Sequence, residues 1–178
     1  MENITYVKLT TENFSANSLD DFIRHQEVKK SWRKINDVFV LVKNEYVEDW
    51  SLERRREVAG EILSGINDGG VGFGAFCDGR VVGYVFLSER LFGSNYQYME
   101  IKLFHVSEPF RRRGIGRELF KLICAEAKKT GAKKLYISAH PSEESQEAYR
   151  SLGCIDAMEV DKEIAENEPY DIQMECQL

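Results

Sequence analysis

The stretch HVSEPFRRRGIGRELF (105–120) sets three consecutive arginines against two glycines one residue apart. Arginine supplies a permanent charge and forked N–H donors. Glycine leaves the backbone bare, so an anionic oxygen can reach the amides. An amphipathic pattern begins at the glycines, and the first N–H groups of a helix have no partner of their own and sit at its positive end. Arg111-x-x-Gly114-x-Gly116 therefore points to a pocket for a phosphorylated ligand, with a solvated basic loop as the other reading. The surroundings sharpen the contrast, because 24 basic residues face 30 acidic ones and the net charge is −6. Such a balance argues against a nucleic-acid partner, whose protein usually carries a basic face.

Two common phosphate motifs are missing. No G-x-x-x-x-G-K-[ST] occurs, and no G-x-G-x-x-G opens a helix. Gly70-x-Gly72-x-Gly74 falls within a strand pattern with no helix after it, so close packing or a bulge explains it. Cys77, Cys124, Cys154 and Cys176 are scattered without C-x-x-C spacing, which excludes the usual zinc and redox motifs. They read as reduced thiols of a cytoplasmic protein. No basic region followed by an apolar run opens the sequence, and no stretch approaches a membrane span. The 178 residues are expected to form one domain, without metal or membrane partner.

The elements that must position the loop follow from periodicity. Residues 4–10 alternate and predict a strand. Residues 18–36 carry Leu19, Phe22, Ile23 and Gln26 at helical spacing and predict a helix capped by Ser18. A short apolar run, 38–42, is read as a strand or ordered loop. A second helix is expected over 49–66, stopped by Asn67-Asp68-Gly69-Gly70. The runs 71–77 and 81–88 flank Asp78-Gly79-Arg80, a hairpin signal. A strand at 98–106, a helix at 114–130, a strand at 133–140 and a helix at 142–152 follow. Residues 154–160 and 170–178 read as closing strands joined by an acidic segment. This order belongs to the α+β (mixed α/β) class.

The loop after the strand YMEIKLFHV resembles motif A of the GNAT family of N-acetyltransferases, and SEESQEAYRSLGC (142–154) resembles its motif B, with Tyr149 four residues before Gly153. The motifs cover 98–154, and the element order extends the resemblance over nearly the whole chain. It implies a central, mostly antiparallel sheet of six to seven strands with about four helices. That sheet would be splayed between its fourth and fifth strands, here 98–106 and 133–140. Acetyl-CoA is implied as donor, its pyrophosphate held by the amides of Arg111, Arg112, Arg113, Gly114, Ile115, Gly116 and Arg117. Its pantetheine arm would lie along Phe104, His105 and Val106, with an N–H near Val106 polarising the thioester carbonyl.

The same resemblance makes Tyr149 the acid for the departing thiolate. Glu100 becomes the candidate base, alternating onto the face of Lys102, Phe104 and Val106. Pairing with Lys102 would account for Glu100 equally. Ser142 stands where many relatives carry a pantetheine-holding asparagine. His25, His105 and His140 read as structural in their side chains, and Cys154 as a packing residue, so transfer is expected to be direct. The acceptor, a small-molecule or peptide amine, would be chosen by residues 28–50, with Trp32, Phe39, Tyr46, Glu48, Asp49 and Trp50. Residues 161–171, with Asp161, Glu163, Glu166, Glu168, Tyr170 and Asp171, would share that choice. A catalytically idle acyl-CoA-binding module is the alternative. The last strand, with one apolar face, is expected to be a free edge that pairs two copies as a homodimer.

Overall fold

A computed structural model describes residues 3–178. In chain order these form β1 (Ile4–Lys8), β2 (His25–Ile35), β3 (Val38–Asp49), α1 (Leu52–Asn67), β4 (Gly72–Cys77), β5 (Arg80–Leu87) and β6 (Tyr98–Val106). After a 3-10 turn at Glu108–Phe110 come α2 (Ile115–Lys129), β7 (Lys134–Ala139), α3 (Glu143–Ser151), β8 (Ile155–Asp156), α4 (Lys162–Asn167) and β9 (Ile172–Gln177). Among the described residues, seven strands make one sheet in the order β1-β4-β5-β6-β7-β9-β8, and β2 and β3 make a separate two-stranded ribbon.

The expected hairpin is β4–β5, turning through Asp78 and Gly79, both at positive φ. β6 and β7 pair in parallel from Tyr98↔Lys134 to Glu100↔Tyr136, and there the pairing stops although both strands continue. A splay opens at that point, where the resemblance put it.

Each sheet face carries its own core. On one, Ile115, Leu119, Ile123 and Ala127 of α2 recur every four residues and pack with Val82, Val85 and Ile101. Burying each large member of such a stripe stabilises the fold by roughly 2 kcal/mol. On the other, Val58, Ala59 and Ile62 of α1 meet Phe14, Leu19, Phe22, Tyr84 and Phe86. Gly72 is a packing glycine. A Cβ there would sit 2.7 Å from the Val85 carbonyl and run into the Phe86 ring.

The helix expected over 18–36 does not form. Residues 18–21 make turns, and from Phe22 the burial alternates strictly through Arg24, Gln26 and Val28. Two of those four inward positions are polar, so the strand period is hidden from a hydrophobicity count. Asn36 and Asp37, at φ 50 and 62, make the two-residue turn into β3. The ribbon is pinned on the main body, because Trp32 N–H donates to the Pro141 carbonyl (2.8 Å) and Ser31 bridges Ser142.

The last strand is not a free edge either. β9 pairs with β7 along its length and with β8 at Glu175 and Met174, and Ile172, Met174 and Cys176 are in the core. The closing strand expected at 154–160 shrinks to two residues, and the acidic segment supplies α4.

A buried charge ties this end together. Glu175 accepts from Tyr98 Oη (2.5 Å), Lys134 Nζ (2.7 Å) and the Met158 N–H (3.0 Å). Burial alone would raise its pKa, and these donors outweigh it and hold the carboxyl below its usual value. The stabilisation is present above the unfolded carboxyl pKa of ~4.3 and is lost as pH falls through the lower folded value. Glu175→Ala is expected to cost about 3 kcal/mol by stranding the lysine and the phenol. A melt should then fall by roughly 10 °C, and an unchanged midpoint would refute the assignment.

Candidate active site

β6 ends at Val106, and the chain turns through Ser107 and the 3-10 segment into α2. Arg112 (φ 60) and Gly114 (φ 83) both adopt the left-handed conformation, and the Arg111 N–H, expected to face the donor, instead donates to the Glu108 carbonyl (3.2 Å) because the 3-10 turn closes on it. Gly114 is the N-cap of α2 and makes no side-chain cap, whereas Ser51, Ser142 and Asp161 each cap their own helix with a side chain. The N–H groups of Ile115, Gly116 and Arg117 thus lie in the uncapped first turn, at its positive pole.

The loop side chains divide. Arg111 Nε donates to the Val106 carbonyl at 3.1 Å and braces the loop against β6. Burial pushes the Arg111 pKa down from its usual value, and Arg24 adds to the fall. Arg112, Gly114, Gly116 and Arg117 line the adjoining cleft. Arg113 is exposed and lies over the Phe110 ring (5.0 Å). The Ile115 side chain is in the core, so only its backbone faces the loop.

Along β6 the ladder with β5 slips between Leu103 and Ile101. Ile101, Phe104 and Val106 consequently all lie in the cluster under α2, while Leu103 joins the opposite one. The simple alternation expected for Glu100 does not hold. Met99 and Ile101 face α2, so Glu100 turns to the other face, with Leu103 and His105. Ser107 N–H bonds the Val82 carbonyl on β5. By alternation, the backbone amides of Phe104 and Val106 face the splay.

Glu100 is half-buried at the vertex of the splay. Burial raises its pKa above the usual carboxylate range, Lys102 opposes the rise, and Asp161 and Glu89 add to it. The His105 ring packs between Trp50 (4.9 Å) and Tyr84 (5.7 Å), and burial drives its pKa to about 3, so the imidazole is neutral. Tyr149, on α3, packs edge-on against Phe104 (6.2 Å). Burial holds its phenol protonated, with Cys154 and Asp171 pushing the same way. Ser142 is the predicted site residue that the fold takes away from the cleft. It is 1% exposed, and its hydroxyl accepts from Ser145 N–H (3.2 Å) and Gln26 Nε2 (3.0 Å).

One cleft of about 1340 Å³ joins these parts. Arg111, Arg112 and Arg117 line its loop end. Glu48, Glu100, Asp161, Glu163, Glu168 and Asp171, from β3, β6, the α4 segment and the turn before β9, line it as well, with Arg24, Arg90 and Lys102 among them. Three of its residues were invisible as site residues in the sequence. Arg24 is 8% exposed, and Ile23 beside it is bonded to Ser107 and Glu108. Its Nη2 bonds Gln26 Oε1 and Glu48 Oε2 (both 3.0 Å), and its Nε and Nη1 have no partner among the described residues. His140 meets Tyr46 Oη at 2.9 Å and Glu48 at 3.6 Å, and burial lowers its pKa. Ser138 donates to Asp171 at 3.4 Å. Arg24 carried no signal because it sits in a segment with helical spacing. His140 and Ser138 were legible only as residues of a strand.

The pattern of the Acetyltransferase (GNAT) family matches residues 35–154, more than half of the chain. The chain belongs to the GNAT acetyltransferase family. Solved structures share the fold over their whole length. A nourseothricin acetyltransferase superposes with a TM-score of 0.72 at 16% identity, with 98% of each chain covered. A Bacillus anthracis protein described as a streptothricin acetyltransferase, in complex with acetyl coenzyme A, gives 0.71 at 13% identity over 99% of each chain. The PaiA N-acetyltransferase of Thermoplasma acidophilum, in complex with coenzyme A, gives 0.62 at 16% identity, again over 99% of each. No curated protein matches the chain. The splayed sheet and the arginine-glycine loop are therefore those of a GNAT acetyltransferase. Among the described residues, no group of His, Cys, Asp and Glu is arranged to hold a metal ion, and no helix is long and apolar enough to cross a membrane.

Proposed function

We propose that the protein is an acetyl-CoA-dependent N-acetyltransferase that passes the acetyl group directly to the primary amine of a cationic acceptor. The observation that carries this reading is the meeting of a helix start and a carboxylate cluster in a single cleft. An uncapped, arginine-flanked helix start and the carboxylates Glu100, Asp161, Glu168 and Asp171 line it together, beside the splay.

Acetyl-CoA fits the loop end. Gly114 and Gly116 leave the backbone bare, and the amides of residues 112–117, aided by Arg112 and Arg117, suit the pyrophosphate. Bound there, the donor supplies an acetyl group already activated as a thioester. The Phe104 and Val106 amides, turned to the splay, suit the pantetheine and the carbonyl oxygen. Tyr149, held protonated by burial, suits the role of acid for the departing sulfur. Glu100 takes a proton from the acceptor nitrogen as the carbon–nitrogen bond forms. A hydrogen bond with Cys176, and burial after it, push the Cys154 thiol up and keep it protonated, which suits transfer without a covalent enzyme intermediate. Glu48, Asp161, Glu168 and Asp171, with Trp50 and Tyr46 beside them, suit a positively charged acceptor with apolar surface.

Release of free CoA thiol in the presence of cadaverine, spermidine, lysine amide and aminoglycosides tests the reading. Turnover on at least one cationic amine is expected. Tight acetyl-CoA binding with no turnover on any would make the chain an idle acyl-CoA-binding module. Glu100→Gln should lower kcat/KM by about 100-fold at every pH while leaving acetyl-CoA affinity unchanged.

A further inference from the structure

An alkyl ammonium ion must lose two protons to become an amide, and Glu100 accounts for one. We propose that Asp171 is a second catalytic carboxylate, which receives the acceptor's ammonium group and takes its first proton before the carbon–nitrogen bond forms. This rests on the N-acetyltransferase reading above.

Asp171 immediately precedes β9, in the same cleft as Tyr149 and Glu100. Its direction is set by a relay across two paired strands. Gln173 Nε2 donates to Ser138 Oγ (2.9 Å), and Ser138 Oγ donates to Asp171 Oδ2 (3.4 Å). Ser138 and Gln173 are register partners on β7 and β9, so the relay is carried by the sheet rather than by a loop. Its own N–H closes a turn onto the Glu168 carbonyl at 3.0 Å. The groups facing it are Glu168 from that turn, Tyr46 and Glu48 from β3, Ser138 from β7 and Tyr149 from α3. Next to these stand Arg24, bonded to Glu48 (3.0 Å), Arg33 over the Tyr170 ring (5.0 Å), and His140, 3.6 Å from Glu48. A half-buried carboxylate among acidic neighbours draws an ammonium ion, and a raised pKa makes it a stronger base toward that ion than an ordinary carboxylate. Burial first, and Glu168 next, raise its pKa to about 6. Glu100 lies at the splay vertex on another strand and has Lys102 beside it, which makes it the weaker receptor for a cation.

The proton count closes. One proton passes from the ammonium to Asp171. The nitrogen–carbon bond forms, the carbon–sulfur bond breaks, and the second proton passes from nitrogen to Glu100. Tyr149 gives its proton to sulfur and is restored by one of the two, while the other is released to water.

The test uses the full chain, with whichever of cadaverine, spermidine and lysine amide it turns over. The neutral fraction of an alkyl amine rises tenfold per pH unit below its pKa of ~10.4. Asp171→Asn should therefore lose at least about 30-fold in kcat/KM near pH 7 and recover most of that deficit by about pH 9.5. Asp171→Glu should restore a rate that falls on the acid side, and Glu100→Gln should show no recovery at high pH. Calorimetry should give wild-type acetyl-CoA affinity for all three. A pH-independent deficit in Asp171→Asn, or none, would overturn the role of Asp171 while leaving the enzyme reading intact. Acetyl-CoA binding without turnover of any amine by the wild-type protein would overturn the enzyme reading, and this proposal with it.

Discussion

Gly116→Val is expected to lower acetyl-CoA affinity by at least about 100-fold while leaving the fold intact. The helix start is proposed to hold the pyrophosphate through backbone amides, each charge-assisted contact contributing ~1.5–3 kcal/mol. A branched side chain at the second helical position would stand where an oxygen must approach. A Cβ at Gly116 meets only Phe104 Cζ and Val106 Cγ2, both at an ordinary 3.7 Å, so the protein itself has room for it. Valine is also a slightly better helix residue than glycine. Gly114→Val is a less clean test. Gly114 sits at φ 83, so a side chain there strains the backbone by about 1–2 kcal/mol whatever the ligand does. Arg112→Ala removes one exposed charge and should cost only about 1 kcal/mol, or roughly fivefold. Calorimetry with acetyl-CoA, beside melts of each variant, checks this order. Equal affinity in Gly116→Val and the parent chain would make the arginine-glycine stretch a solvated basic loop.

Tyr149→Phe is expected to lower kcat by about 100-fold or more and to leave acetyl-CoA binding nearly unchanged. The ring keeps its edge contact with Phe104, so packing survives and only the hydroxyl is lost. Because burial holds the phenol protonated well above neutrality, wild-type activity should not fall through loss of this proton at any pH where the fold is stable. Stopped-time thiol release with the best acceptor measures the effect. A variant with full kcat would remove Tyr149 from the chemistry and leave it as a packing residue.

The donor end of the cleft was legible in the sequence because its determinants are local. A loop of arginine and glycine, a strand before it and a four-residue apolar stripe after it lie within thirty-odd residues. Together they dictate a helix start with bare amides wherever the chain places it. The hairpin at Asp78-Gly79 is local in the same sense, since turn chemistry and period-two alternation need no distant partner. The facing of Glu100 was not legible. A slip in the β5–β6 ladder decides it, and a ladder slip depends on how two strands meet. The segment 18–36 failed for a related reason. Its inward positions include Arg24 and Gln26, which are tolerable inside only because Glu48 and Ser142 arrive from elsewhere to pair with them. The carboxylate cluster is wholly tertiary. Glu48 on β3, Glu100 on β6 and Asp171 just before β9 are far apart in sequence, and Asp171 is aimed by Ser138 from β7. Local spacing specifies what a residue does to its own element. Only the folded sheet decides which distant charges share a cleft, and burial there moves their proton affinities.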